Sequence, residues 1–102
     1  MTEAFVVRYR TTPETAEENQ RLVEAVYAEL AESRPDGLQY ATYRLADGVT
    51  FVHVAIGGGD VLREVAAFRE FQRDLGERVD AAPESSSARL VGSYRVYEPA
   101  QS

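Results

Sequence analysis

The chain has 102 residues, 44% hydrophobic and 27% charged, with no cysteine, no tryptophan and a formal net charge of -6. That length fits a single domain spanning residues 1–102, and the lack of thiols excludes disulfides, iron–sulfur clusters and a cysteine nucleophile. The acidity opposes nucleic acid or an anionic membrane as a partner, and with neither a signal-like start nor an apolar run of roughly 20 residues the expected location is cytoplasmic.

Ala4 to Arg10 is rich in β-branched and aromatic residues and predicts the first strand. Thr11-Thr12-Pro13 breaks it, with Thr12 or the pair Thr15 and Glu18 placed to cap a helix. Leu22, Val23, Val26, Tyr27 and Leu30 then recur at helical spacing, predicting an amphipathic helix to about Ser33 that Pro35-Asp36-Gly37 ends.

Leu38 to Leu45 and Val49 to Ile56 predict two strands joined through Ala46-Asp47-Gly48. Asp-Gly between such runs signals a hairpin with a type I′ turn. That register sets Arg44 opposite Phe51, Thr42 opposite His53 and Tyr40 opposite Ala55 on one face. Ala41, Tyr43, Leu45, Val52, Val54 and Ile56 share the other.

Gly57-Gly58-Gly59 reads as a flexible connection and Asp60 as a cap. Val61, Leu62, Val65, Phe68, Phe71, Leu75 and Val79 mark a second helix to about Asp80, with an early end or bend possible at Gly76. Ala81 to Ser87 is expected as a loop, Arg89 to Tyr97 as the last strand, and Glu98 to Ser102 as a tail.

The order β-α-β-β-α-β is the ferredoxin-like plan, an α+β fold with a four-stranded antiparallel sheet and two helices on one face. The expected open face carries Leu38, Tyr40, Phe51 and Ala55. A soluble monomer rarely exposes so much apolar surface, so a second copy is expected to cover it in a two-fold homodimer.

The stretches Gly37 to Leu45 and Phe51-Val52-His53-Val54, with Phe68-Arg69-Glu70-Phe71-Gln72, resemble the dimeric α/β-barrel superfamily over residues 4–97. The branch they look most like is that of antibiotic-biosynthesis-monooxygenase-like proteins. The resemblance implies sheets paired in a dimeric α/β barrel. It also implies a range of activities that includes cofactor-independent oxygenation of anthrones and quinols. The second predicted helix has no histidine and the chain no tryptophan, both departures from the haem-degrading branch.

His53, the single histidine, is a candidate general base, with a cross-strand pair to Thr42 at a buried dimer seam as the plain alternative. Asn19 lies one turn before Leu22 and Val23, where a buried amide could hold an oxyanion or simply cap the helix. Tyr27 and Tyr43 are candidates to point hydroxyls into a space between the first helix and the sheet. Phe68 and Phe71 are candidates for aromatic lining, and Arg44 for anchoring a carboxylate or phenolate.

One histidine and no cysteine cannot build a typical zinc site. The glycine triplet lacks the residues of a P-loop, and no Gly-x-Ser-x-Gly elbow occurs. With no cofactor expected, two functions remain. One is a cofactor-free monooxygenase or related isomerase acting on a small aromatic or polyketide-like substrate. The other is a non-catalytic homodimer that binds a small apolar ligand.

Overall fold

The structure, a computed structural model, describes residues 3–94. Its elements are β1 (Glu3–Arg10), α1 (Ala16–Ser33), β2 (Gln39–Arg44), β3 (Thr50–Ile56), α2 (Gly59–Arg63), α3 (Ala66–Arg73), α4 (Leu75–Arg78) and β4 (Glu84–Arg89). The strands form one antiparallel sheet in the order β2-β3-β1-β4, the ferredoxin-like topology with the second helix in three pieces.

The hairpin has the expected register: Arg44 pairs with Phe51, Thr42 with His53 and Tyr40 with Ala55. Its turn is not type I′, because of Asp47 and Gly48 only the glycine has a positive φ, +80°. Asp47 instead ties the turn with its carboxylate, which accepts from Val49 N at 2.9 Å, Thr50 N at 2.8 Å and the Thr50 hydroxyl at 2.6 Å. Those bonds, the Thr50 hydroxyl foremost, hold its pKa down to about 2.

The two faces of the hairpin are the reverse of the expectation. Phe51, His53 and Tyr40 lie toward the helices: Phe51 and His53 are buried, and Phe51 packs with Tyr9 of β1 and Val23 and Val26 of α1. Ala41, Tyr43, Val52, Val54 and Ile56 form the open face with Val6, mostly half-buried, and Tyr43 is 45% exposed. His53 is therefore a core residue and no part of an open sheet face. Both faces are apolar enough to be buried, so alternation alone could not rank them.

In α1 the residues Asn19, Val23 and Val26 are buried at i, i+4 and i+7. The helix begins after Thr15, but the expected capping box is absent: the Thr15 hydroxyl donates to Arg78 O at 2.8 Å. Arg34 ends α1 with φ +48°, and Pro35 follows.

The expected single helix from Val61 to Asp80 is broken twice. Val65 is extended (φ -78°, ψ 121°), which drops its side chain into the core between α2 and α3. The Glu29 carboxylate of α1 accepts from Ala66 N and Ala67 N at 3.3 and 3.0 Å, satisfying the freed start of α3. A second break falls at Asp74, ahead of Gly76, which lies inside α4.

The glycine triplet is more constrained than a linker. Gly58 caps α2 with φ +62°, and a Cβ there would sit 2.6 Å from Leu38 Cβ. Asp60 makes no cap and pairs with Arg63.

The last strand is Glu84–Arg89, five residues earlier than expected, and it pairs with β1 from Glu3 opposite Arg89 to Arg8 opposite Glu84. Residues 90–94 are outside any strand, and the rest of the expected strand, Arg95 to Tyr97, lies outside the described residues. No helix among the described residues is long and apolar enough to cross a membrane.

Candidate functional site

β1 and β3 pair Val7 with His53 and Tyr9 with Phe51, so Tyr9 and His53 reach the helix face side by side. Tyr9 and Asn19 close one side of a continuous polar chain through the core. Arg78 Nε donates to Asn19 Oδ1 at 2.9 Å, and Asn19 Nδ2 donates to Tyr9 Oη at 2.9 Å. Tyr9 Oη lies 2.8 Å from His53 Nε2. On the far side of the ring, His53 Nδ1 lies 2.7 Å from Tyr40 Oη and 3.2 Å from Thr42 Oγ1, and Thr42 is 2.7 Å from Tyr27 Oη.

Asn19, His53 and Arg78 are 0%, 5% and 3% exposed, yet no buried side-chain nitrogen or oxygen among the described residues lacks a partner. A closed polar chain of this kind rigidifies a core, because a single missing member would strand its neighbours.

A cleft of about 230 Å³ opens beside the chain, between β1, β3 and the helices α2 and α3. Tyr9, Tyr40 and His53 supply its polar edge, Phe68 and Phe71 its aromatic wall, and Phe5, Val7 and Ala55 its apolar end. Phe71 lies 5.4 Å from the His53 ring and 6.3 Å from Tyr9, while Phe68 meets Tyr40 edge-on at 6.4 Å. Phe5 is 57% exposed at this cleft, an apolar surface suited to a ligand.

Burial pushes the His53 pKa from 6.5 down to about 4, so the imidazole is neutral near pH 7. Burial raises Tyr9 to about 12 against the opposing effects of the Asn19 hydrogen bond and the Arg78 charge. Tyr40 and Tyr27 are raised for the same reason. At neutral pH the site holds protonated hydroxyls around a neutral imidazole, an arrangement that can carry a proton.

Of the residues singled out from sequence, His53 and Asn19 come together through Tyr9, and Phe68 and Phe71 line the cleft. The Thr42 pairing of His53 is also present, in the core and not at a dimer seam. Tyr27 lies outside the cleft and ends the polar chain at Thr42, stacked on Tyr40 at 5.2 Å. Tyr43 points away from the helices, because the register sends it to the open face with Val52. Arg44 is held at the hairpin tip by Gly48 O, Gln20 and Glu17, far from binding a cleft ligand.

Sequence reasoning passed over Tyr9, Tyr40 and Arg78. Arg78 had a legible signal: it continues the stripe Phe71, Leu75 at i, i+4 and i+7, where a charge is out of place.

No protein-family model and no curated protein matches the chain. Solved structures do. Rv0793 from Mycobacterium tuberculosis superposes with a TM-score of 0.70 at 17% identity, covering 91% of this chain and 98% of that one. A protein from Nitrosomonas europaea provisionally named an antibiotic biosynthesis monooxygenase gives 0.73 at 10% identity, covering 88% and 90%. The chain has the fold of the antibiotic biosynthesis monooxygenase-like structures. A variant of SnoaB, a cofactor-independent oxygenase from Streptomyces nogalater, gives 0.64 at 17% identity over 90% and 95%. At these identities the likeness is one of fold, and the chemistry must be argued from the cleft.

Proposed function

We propose that the protein is a cofactor-independent monooxygenase-like enzyme that acts, as a homodimer, on a small aromatic or polyketide-like substrate. The observation that carries this reading is the Tyr9–His53–Tyr40 chain lining an apolar, aromatic-walled cleft. Cofactor-free oxygenation asks little more of a protein than a dry pocket, a base and a donor for the developing anion. The substrate anion then supplies the electrons, and dioxygen is the co-reactant. A ring methylene becomes a carbonyl with one oxygen atom, and the second oxygen leaves as water with both hydrogens.

The pKa of His53 limits the substrate. Against an ordinary phenol near pKa 10, a conjugate acid at about 4 leaves a gap of some six units, about 8 kcal/mol uphill. The proton taken must therefore be more acidic than that of an ordinary phenol, beside a carbonyl or on a ring that delocalises the charge further. A volume of about 230 Å³ suits one or two rings, with the 57% exposed Phe5 at its edge. The homodimer reading rests on the open sheet face of Ala41, Tyr43, Val52, Val54 and Ile56, which a second copy would cover.

A second reading, a non-catalytic ligand-binding homodimer, draws on one observation: among the described residues every buried side-chain nitrogen and oxygen already has a partner within the protein. Oxygen uptake with anthrone and quinol substrates separates the two, compared with a His53→Gln variant. The enzyme should consume oxygen and the variant should lose most of that rate. Saturable ligand binding with no uptake from any substrate would overturn the oxygenase reading and favour the binder.

A further inference from the structure

Arg78 is the one member of the polar chain that carries a permanent charge, and its surroundings are unusual for a cation. Its Nη2 donates to Phe71 O at 2.6 Å, its Nε to Asn19 Oδ1 at 2.9 Å, and its guanidinium carbon lies 5.3 Å over the Phe71 ring. The ion pairs of the described residues join Arg10 with Asp80, Arg44 with Glu17, Arg63 with Asp60 and Arg73 with Glu70; none includes Arg78. A cation 3% exposed, whose guanidinium meets a carbonyl, an amide oxygen and a ring and no carboxylate among the described residues, is expensive to keep. The β1–α1 connection clamps it nonetheless, since Thr12 N and the Thr15 hydroxyl both donate to Arg78 O, at 3.1 and 2.8 Å.

We infer that Arg78 is a positioning residue that fixes the direction of donation along the chain and thereby the tautomer of His53. A guanidinium only donates, so Asn19 must turn Oδ1 toward it and Nδ2 toward Tyr9. The amide nitrogen also only donates, so Tyr9 Oη accepts there, and its single proton, with no other acceptor among the described residues, goes to His53 Nε2. A neutral imidazole accepting at Nε2 carries its proton on Nδ1, directed at Tyr40 Oη and Thr42 Oγ1. Flipping Asn19 would set its NH2 group against the guanidinium, donor to donor at 2.9 Å. The network, and not the ring itself, places the proton.

This assignment rests on the proposed function only for its chemical use, which it makes specific. The basic nitrogen of His53 faces Tyr9, so the Tyr9 hydroxyl is the port for the substrate proton. As Tyr9 Oη takes that proton, its own passes to Nε2, leaving a substrate anion and an imidazolium that keeps its bond to Tyr40. Negative charge developing at Tyr9 meets the Asn19 N–H and, behind it, the Arg78 charge.

The test is the protonation of the two ring nitrogens of His53, read by nitrogen-15 NMR on the full chain. The wild type should carry the proton on Nδ1. Asn19→Asp is nearly isosteric and keeps an acceptor for Arg78, but its carboxylate accepts from Tyr9 too. Tyr9 then accepts from the imidazole, and the proton should move to Nε2. Arg78→Met should give a mixture of tautomers, and Arg78→Lys, which keeps a charged donor, should restore Nδ1. If Arg78→Met does not fold, the aspartate variant decides. A proton that stays on Nδ1 in folded Asn19→Asp overturns the inference, even in an active enzyme. A tautomer that shifts as expected in a protein that turns over no substrate supports the inference and overturns the functional reading instead.

Discussion

Mild acid should destabilise this protein, and His53 sets the range. Its pKa lies near 6.5 in an unfolded chain and about 4 in the folded one, lowered by burial. A base depressed in this way is protonated first in the unfolded state. Its contribution is complete above about pH 6.5 and is lost as the pH falls toward 4. The two values give a loss of about 2 kcal/mol at pH 5 and about 3 kcal/mol at pH 4, large against the 5–15 kcal/mol that holds a typical domain together. Asp47 belongs to a separate range: lowered from 3.8 to about 2, it contributes fully above pH 3.8 and fades below that. Urea unfolding at fixed ionic strength and protein concentration, between pH 7.5 and 4.5, should show a falling midpoint for the wild type. His53→Gln, which has nothing to titrate, should show a flatter profile over the same interval. Parallel slopes for the two proteins would refute the argument that burial of the neutral imidazole controls this range.

Two further outcomes follow from the backbone and from the open sheet face. Gly58→Ala combines a φ of +62° with a Cβ only 2.6 Å from that of Leu38, so it should cost about 1–3 kcal/mol, and an unchanged melting temperature would contradict that geometry. Val54→Glu places a charge at the centre of the open face, and it should convert a dimer into an 11.3 kDa monomer in sedimentation. A wild-type protein already monomeric at micromolar concentration would remove the dimer from the proposed function.

The hairpin was legible because one dipeptide, Asp47-Gly48, set a register that every pair from Gln39 to Arg44 obeys. Its orientation was not, since each face offers large apolar groups and the more polar-looking one, with His53 and Thr42, proved to be the inner one. Their polarity is absorbed by Tyr9, Tyr40 and Tyr27, three hydroxyls that arrive from β1, β2 and α1. No local pattern records such a meeting. β4 was misplaced for a different reason. Ser85-Ser86-Ser87 has weak strand propensity and is a strand by virtue of its pairing with β1, while Leu90, Val91 and Tyr94 imitate one. Asn19 was legible from its place on the Val23 and Val26 stripe, and the same rule applied to the second helix finds Arg78.

Arg78 also bears on the choice between enzyme and binder. A protein that only held an apolar ligand would need the cleft, its Phe68 and Phe71 wall and little else. Replacing a buried charged network by packed apolar side chains is often neutral or stabilising, by about 1–4 kcal/mol. In a chain of 102 residues with one modest core, a guanidinium in no ion pair among the described residues, a fully buried amide and an imidazole held far from its ordinary pKa are costly to bury. Under the binder reading these three side chains have no use beyond stiffening the core. Under the oxygenase reading each has one: Arg78 orients Asn19, Asn19 holds the oxygen of Tyr9, and His53 receives the proton that Tyr9 passes on.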